Sequence, residues 1–259
     1  MISVVIRNKN QSVALSFLLK NLTERYAKDV AEIIVVDNLS TDSSKEISKK
    51  FGARFVSIEN FSFGGSANVC AREAQFPIVV IFSAHSYPVS HDFFSLIQAK
   101  FDGNPNLAGL RCLHSTNDYK NFINKTPATI DPNKSGLIFS GSAFSRAVWE
   151  KHPFREDVAT FEDKEWTTRV LKVGYAIDFV ESIFCYEIKR TRKQLFFRFK
   201  NDVIGNYQLW HEEIRIGSTI KGFLSGIFYL MKSFVLDLWY ILLRFLYLIK
   251  FRCNKPNKF

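Results

Sequence analysis

Cysteine is scarce and scattered: Cys70, Cys112, Cys185 and Cys253 lie far apart. Without short paired spacings they form neither a zinc site nor a redox dithiol, and they read as reduced, mostly buried thiols. No apolar run reaches the roughly 20 uninterrupted residues of a plain spanning helix. No basic leader precedes the first strand-like run, Ile2 to Ile6, so no signal peptide is expected and the Asn-x-Ser/Thr sites at Asn21 and Asn124 are expected to be incidental. Neither a helix-turn-helix nor an RNA-binding signature accompanies the net charge of +10. That turns the charge away from nucleic acid and toward a phosphate-bearing substrate or an acidic membrane surface. Phenylalanine, by contrast, is abundant: 26 residues, many of them in the last third. A chain of 259 residues is long enough to bury a real core.

Short β-branched runs mark the strands. Ile33 to Val36 is a strand buried on both faces, with Asp37 at its C-terminal end and Ser40-Thr41-Asp42 as caps for the next helix. Ile2 to Ile6 ends in the polar loop Arg7-Asn8-Lys9-Asn10, and the spacing of Val13, Leu15, Leu18, Leu19 and Leu22 predicts a helix between these two strands. That is a βαβ unit with a parallel pair and a right-handed crossover. Helices over 43–51 and 92–100 and strands over 53–58, 78–82 and 107–113 follow by the same signals. The loop Phe61 to Asn68, with Gly64-Gly65, leads into a helix whose N-terminus could face an anion. Ser83-Ala84-His85-Ser86 reaches the same sheet edge as Asp37, and two polar strand ends on one rim predict a pocket. Residues Ser115 to Ser135 read as a long irregular loop. The apolar pattern resumes from Leu137 through Gly141 to Ala143, followed by a short helix from Arg146 to Lys151.

A dense acidic constellation comes next: Glu156-Asp157, then Phe161-Glu162-Asp163-Lys164-Glu165-Trp166 and Arg169. Read as a helix from Glu162 to Val173, it turns Trp166, Val170 and Leu171 inward and puts acids at its N-terminus, as the helix dipole favours.

Taken in order, Val4 to Asn10, Glu32 to Asp42, Phe63 to Asn68, Phe82 to Pro88, Gly141 with Arg146, and Phe161-Glu162-Asp163 through Arg169 resemble the family 2 glycosyltransferases, above all their rhamnosyltransferase-like members. The resemblance covers residues 1 to about 200. It implies an α/β GT-A (Rossmann-like) fold, with a mostly parallel central sheet flanked by helices, and an inverting transfer from a nucleotide-sugar donor. Asp37 would then be the nucleoside-binding carboxylate, with Arg7 and Asn8 lining base and ribose. Asp163 would be the general base, with Glu162, Asp157 and Glu156 as rivals. Asn68, Ser83, His85, Gly141, Glu162, Trp166 and Arg190 complete the expected substrate site.

The chain departs from the family where Asp-x-Asp usually holds a divalent metal, for Ser83-Ala84-His85 stands there. Hard Mg²⁺ favours oxygen ligands, so loss of both carboxylates weakens such a site; His85 is the single candidate left to ligate Mn²⁺ or to touch phosphate directly. If metal is dispensable, Arg7, Lys9, Lys189, Arg190 and Arg192 are the cations available to the leaving diphosphate. The polymerase signature Gln-x-x-Arg-Trp is not reproduced at Gln194 to Arg198, which argues against a processive synthase. A catalytically degenerate domain that only binds a glycan or partner is the alternative; a nucleotidyltransferase is disfavoured by the missing metal carboxylates.

The expected domains are 1–200, catalytic, and 201–259, a C-terminal amphipathic helical region. In the latter, Lys232, Asp237 and Arg244 interrupt an aromatic-rich stretch from Ile220 to Phe251 that ends in Lys250, Arg252, Lys255 and Lys258. Such helices suit an anionic membrane surface at its cytoplasmic face, peripheral or monotopic, beside a lipid-linked glycan acceptor. Packing on the catalytic domain or a homodimer is the all-protein alternative.

Overall fold

The computed structural model describes residues 1–187 and 189–257. In chain order the elements are β1 (Ile2–Asn8), α1 (Ser12–Arg25), β2 (Val30–Asp37), α2 (Ser44–Lys50), β3 (Arg54–Ser57), α3 (Phe63–Glu73), β4 (Ile78–Ser83), β5 (Ser86–Pro88) and α4 (Phe93–Gly103). Then come β6 (Leu107–Leu113), α5 (Thr116–Ile123), α6 (Pro132–Ser135), β7 (Gly141–Ser145), α7 (Arg146–Lys151), α8 (Glu162–Lys172), β8 (Ala176–Tyr186), α9 (Arg192–Trp210) and α10 (Ile216–Cys253). Two compact units divide the chain, Met1–Trp210 and His211–Phe259. The boundary expected after residue 200 falls inside α9, which runs on to the end of the first unit.

The strands form one sheet in the order β3-β2-β1-β4-β7-β6-β8-β5. On one side β1 pairs in parallel with both β2 and β4, and β2 with β3. The sheet is mixed because β7 runs antiparallel to β4 and to β6, while β6 and β8 are parallel to each other. Two reversals cancel. β1, β2, β4, β6 and β8 therefore share one direction, and their C-terminal ends, Asn8, Asp37, Ser83, Leu113 and Tyr186, meet along a single edge.

Alternation along the strands gives the sheet two apolar faces. Val4, Ile6, Val35, Val80 and Phe82 pack with Leu15, Leu18 and Leu22 of α1 and Phe93, Phe94 and Ile97 of α4. Val5, Ile34, Val36, Val79 and Ile81 pack on the other side with Ala67 and Cys70 of α3, Trp149 of α7, and Trp166 and Val170 of α8. This double coverage is why the β1, β2 and β4 segments read as unbroken apolar runs.

The expected long loop over 115–135 is corrected by α5 and α6. Ser115 accepts a hydrogen bond from the Asp118 backbone N–H (3.2 Å), and the Asp118 carboxylate accepts from the Ser115 N–H (3.1 Å), a reciprocal cap that starts α5. The thiols divide evenly, Cys70 and Cys112 buried, Cys185 and Cys253 exposed, and all four are free.

In the second unit, α10 is a single helix of 38 residues, none of them buried. At 3.6 residues per turn, Lys221, Lys232 and Lys250 share one side, but Phe228, Leu236, Trp239 and Leu243 fall there too, and Asp237 and Arg244 lie beside Phe223 and Leu230, so the apolar residues surround most of the helix rather than forming one amphipathic face. Among the described residues no helix is long and apolar enough to cross a membrane. Lys258, read as part of the basic end, lies outside the described residues.

Candidate active site

At the common strand edge lies an open cleft of about 640 Å³. It is lined by Arg7, Ser83, His85, Glu162, Asp163 and Arg190 among the expected residues, and by His114, Phe139, Ser140, Tyr186, Arg198 and Asp202. Its size suits a small-molecule site.

Arg7 organises the floor. From the end of β1 its guanidinium donates to a Glu162 carboxylate oxygen at 2.9 Å and to the Phe139 carbonyl at 2.8 Å, tying β1 to the start of α8 and the approach to β7. Burial pushes the Glu162 carboxyl up, the Arg7 charge opposes that, and neighbouring Asp163 pushes it further up. Asp163 is held differently. One carboxylate oxygen accepts from the Phe139 N–H at 3.1 Å and the other from the Lys164 N–H at 2.8 Å, which fixes the group's orientation at the wall of the cleft. Beneath it Lys164 turns inward and donates to the Gly136 and Leu137 carbonyls at 3.2 and 2.8 Å. Burial pulls this amine down to about 8, against the pull of Asp163 in the other direction.

The residue before this pair, Phe161, has φ 65°, left-handed backbone uncommon outside glycine. Helix α9 crosses it so closely that a Cβ at Gly205 would lie 2.7 Å from the Phe161 ring. Trp210 packs on the same ring at 5.2 Å between centroids. Thus α9, which contributes Arg198 and Asp202 to the cleft, is seated on the residue that introduces Glu162 and Asp163.

His85 sits in the tight turn from β4 to β5, which Ser86 closes by accepting from the Ser83 N–H and donating to the Ser83 carbonyl. Its ring meets Tyr186 edge-on at 5.0 Å, and among the described residues neither ring nitrogen has a hydrogen-bond partner. Burial pulls His85 down to about 4, with the charges of Arg190 and Arg7 adding to the effect. Arg190 donates to the Tyr186 hydroxyl at 2.7 Å.

The other expected residues lie elsewhere. Asp37 is 2% exposed, and both its oxygens are engaged: Ser40 donates from its backbone N–H and hydroxyl, and Asn8 from its amide at 2.7 Å. The Asn8 side-chain oxygen, however, is buried without a partner. Asn68 is a structural staple, accepting from the Trp149 indole and the Phe154 N–H and donating to Glu156 at 2.7 Å. Trp166 is wholly buried and donates to the His152 carbonyl. At Gly141 a Cβ would lie 2.5 Å from the Phe184 ring, so close packing accounts for that glycine. Close packing also explains Gly64, where a Cβ would lie 1.9 Å from the Arg155 carbonyl oxygen. Packing thus accounts for Gly64 without reference to an anion, and the Gly65 N–H at the helix start is capped by the Ser62 hydroxyl at 2.9 Å. Of the rival bases, Glu156 is bonded to Asn68 and Asp157 pairs with Arg155. Among the spare cations Lys9 donates to the Asn38 and Leu39 carbonyls.

Sequence reasoning missed His114, although it directly follows β6 at the shared edge. Its ring stacks on Phe184 at 4.9 Å, and its Nδ1 lies 2.5 Å from Asp118 Oδ2. Asp118 in turn is bound by the buried Arg111 guanidinium at 2.6 and 3.0 Å. Tyr186, at the end of β8, obeys the same strand-end rule.

A divalent cation at the Ser83-Ala84-His85 turn would find one hydroxyl, one buried methyl and one imidazole. The carboxylates lining the cleft are committed, Glu162 to Arg7, Asp163 to two backbone N–H groups and Asp202 to Arg198 at 3.4 Å. Among the described residues no group of three or more His, Cys, Asp or Glu could hold a metal ion. This donor set does not fit a hard divalent cation.

With the geometry in place, comparison defines the class: residues 3–158 match the family model described as glycosyl transferase family 2. The chain belongs to that family, whose members are inverting transferases using nucleotide-sugar donors. Among solved structures it is similar to a mannosyltransferase from Pyrobaculum calidifontis in complex with GDP-Man and Mn²⁺, at 19% identity and TM-score 0.65, covering 82% of this chain and 65% of that one. Glucosyl-3-phosphoglycerate synthase from Mycobacterium tuberculosis, with phosphoglyceric acid, matches at 15% identity and TM-score 0.62, over 80% of this chain and 79% of that one. TarS from S. aureus, with UDP-GlcNAc, matches at 17% identity and TM-score 0.60, over 74% and 59% respectively. These likenesses establish the GT-A fold. Sequence comparison with curated proteins gives no significant match.

Proposed function

We propose that the protein transfers a single sugar, with inversion, from a nucleotide-sugar donor to a lipid-linked glycan during surface polysaccharide synthesis, as a peripheral or monotopic protein on the cytoplasmic face of a membrane. The rhamnosyltransferase-like branch, whose pattern the Phe82–Pro88 and Phe161–Arg169 segments resemble, is its proposed functional kin. The observation that carries the catalytic part is the shared cleft of Asp163 with Arg7, Ser83 and His85 from the strand ends. Asp163 accepts the acceptor hydroxyl's proton as that oxygen bonds to the anomeric carbon. The bond from that carbon to the donor phosphate breaks, and its electron pair leaves with the nucleoside diphosphate. The Phe139 and Lys164 N–H groups keep the carboxylate aimed, while Arg7 neutralises Glu162 and leaves Asp163 as the base. Bound relatives give context: the Pyrobaculum enzyme with GDP-Man and TarS with UDP-GlcNAc.

Membrane attachment is supported by two helices. Phe196 and Phe199 of α9, each 62% exposed, lie away from its cleft-lining residues, beside Lys200. The long α10, with exposed apolar and aromatic side chains around most of its surface and Lys221, Lys232 and Lys250 along one line, has a composition suited to an anionic interface.

In Asp163→Asn, transfer from a panel of nucleotide sugars falls by about 10²–10⁴-fold while donor affinity in calorimetry is kept. Undiminished transfer removes Asp163 as the base. If the native chain binds donors yet neither transfers nor hydrolyses them, the binding-module reading replaces the enzymatic one. Flotation of the full chain with anionic vesicles tests attachment; a soluble homodimer that ignores vesicles defeats it.

A further inference from the structure

A nucleotide-sugar donor leaves as a diphosphate, and the charge that develops on it must be balanced as the sugar departs. In this cleft Ser83-Ala84-His85 stands where an Asp-x-Asp pair would recruit a cation, and the carboxylates that remain are engaged by Arg7, by backbone N–H groups and by Arg198, yet positive charge is present. Arg190 reaches the cleft from beyond β8, and among the described residues it donates to the neutral Tyr186 hydroxyl. Arg7 lies in the same cleft lining. His85, in the turn after β4, keeps two ring nitrogens without a protein partner among the described residues, an unsatisfied state that is costly for buried polar atoms. We infer that the donor diphosphate is held directly by Arg190 and His85, and that these groups replace a divalent cation.

This rests on the cleft being the donor site. It assigns each group a separate task. Burial and the two arginine charges keep His85 neutral above about pH 4, so one ring nitrogen carries an N–H that can donate to a phosphate oxygen. Arg190 supplies a planar guanidinium fork that matches two phosphate oxygens and needs no metal to do so. As the anomeric carbon–oxygen bond breaks, its electron pair stays on the diphosphate under these donors, while the acceptor proton goes to Asp163. Stacking of His114 on Phe184, with its Nδ1 against Asp118, holds a second imidazole at the same wall.

The test is calorimetry on the full chain with UDP and GDP as probes, in excess EDTA and then in Mn²⁺. Affinity is expected to change by less than about twofold between the two conditions, a difference well under one RT-scaled decade. Arg190→Ala and His85→Ala are each expected to weaken diphosphate binding about tenfold, the size of a charge-assisted hydrogen bond, without changing the affinity for uridine and guanosine. The pair Ser83→Asp with His85→Asp rebuilds Asp-x-Asp and is expected to make binding depend on Mn²⁺. Binding by the native chain only when Mn²⁺ is present overturns the inference and leaves the donor-site reading standing. No binding of either diphosphate in either condition overturns both.

Discussion

Two regions of this chain have the same vocabulary of phenylalanine, leucine and isoleucine and use it oppositely. In Met1–Trp210 the apolar residues are gathered on the two faces of one sheet, where Phe82, Phe93, Phe144 and Trp166 are fully buried. In His211–Phe259 they line a long helix and stay exposed, Phe234 and Phe245 among them. Composition alone does not distinguish the two. The difference lies in period and partner: strands alternate between helices on both sides, whereas α10 carries apolar residues around most of its circumference and none of its residues is buried. Exposed apolar surface of that extent marks an interaction site.

The contrast can be pressed hardest at Trp166. Trp166→Ala removes a side chain packed between Phe144 and Phe154 and is expected to cost about 3–5 kcal/mol in denaturant unfolding. A loss below about 1 kcal/mol would mean that the second face of the sheet is not a packed core.

Acid gives a smaller effect within the same unit. The folded value of His85, about 4, lies below its ordinary value of about 6.5. Between those limits the unfolded chain binds more protons, so this group's contribution destabilises increasingly as pH falls from about 6.5 to about 4 and is absent above that window. Unfolding measured across it is expected to show a stability loss that flattens in His85→Gln. An unchanged slope would place the imidazole in water.

Smallest is the effect expected on the other side of the comparison. Phe234→Ser should move the unfolding free energy of the chain by no more than about 0.5 kcal/mol, yet lower the fraction bound to anionic vesicles. A large drop in stability without vesicles would show that the apolar surface of α10 is covered by protein.

Much of this arrangement was readable before the structure. The β1, β2 and β4 runs announced themselves because both faces of their strands are covered, and the spacing in α1 left little choice of element. The cleft was half legible by one rule, that polar residues at strand C-termini share a rim: it found Arg7, Ser83 and His85. It passed over His114 and Tyr186 because their directions depend on β7 inserting antiparallel between β4 and β6, a long-range pairing that no local pattern encodes. Helix α5 was hidden in a polar stretch, since its start depends on a reciprocal cap between Ser115 and Asp118 and on the buried Arg111, not on apolar periodicity. Asn68 and Gly141 were noticed for their place in a family pattern, but their contacts are those of packing and backbone satisfaction.

The seat of α9 on Phe161 bears on how such transferases can be rebuilt. Helix α9, which lines the cleft, and the loop that leads into Asp163 touch through Gly205 and the Phe161 ring, with Trp210 closing the contact. Exchanging α9 for that of a relative would therefore not be a local graft. Any donor helix carrying a side chain at position 205 would push on the aromatic ring that precedes Glu162 and Asp163, so the two segments form one exchangeable cassette, and residues 160–163 must travel with the helix.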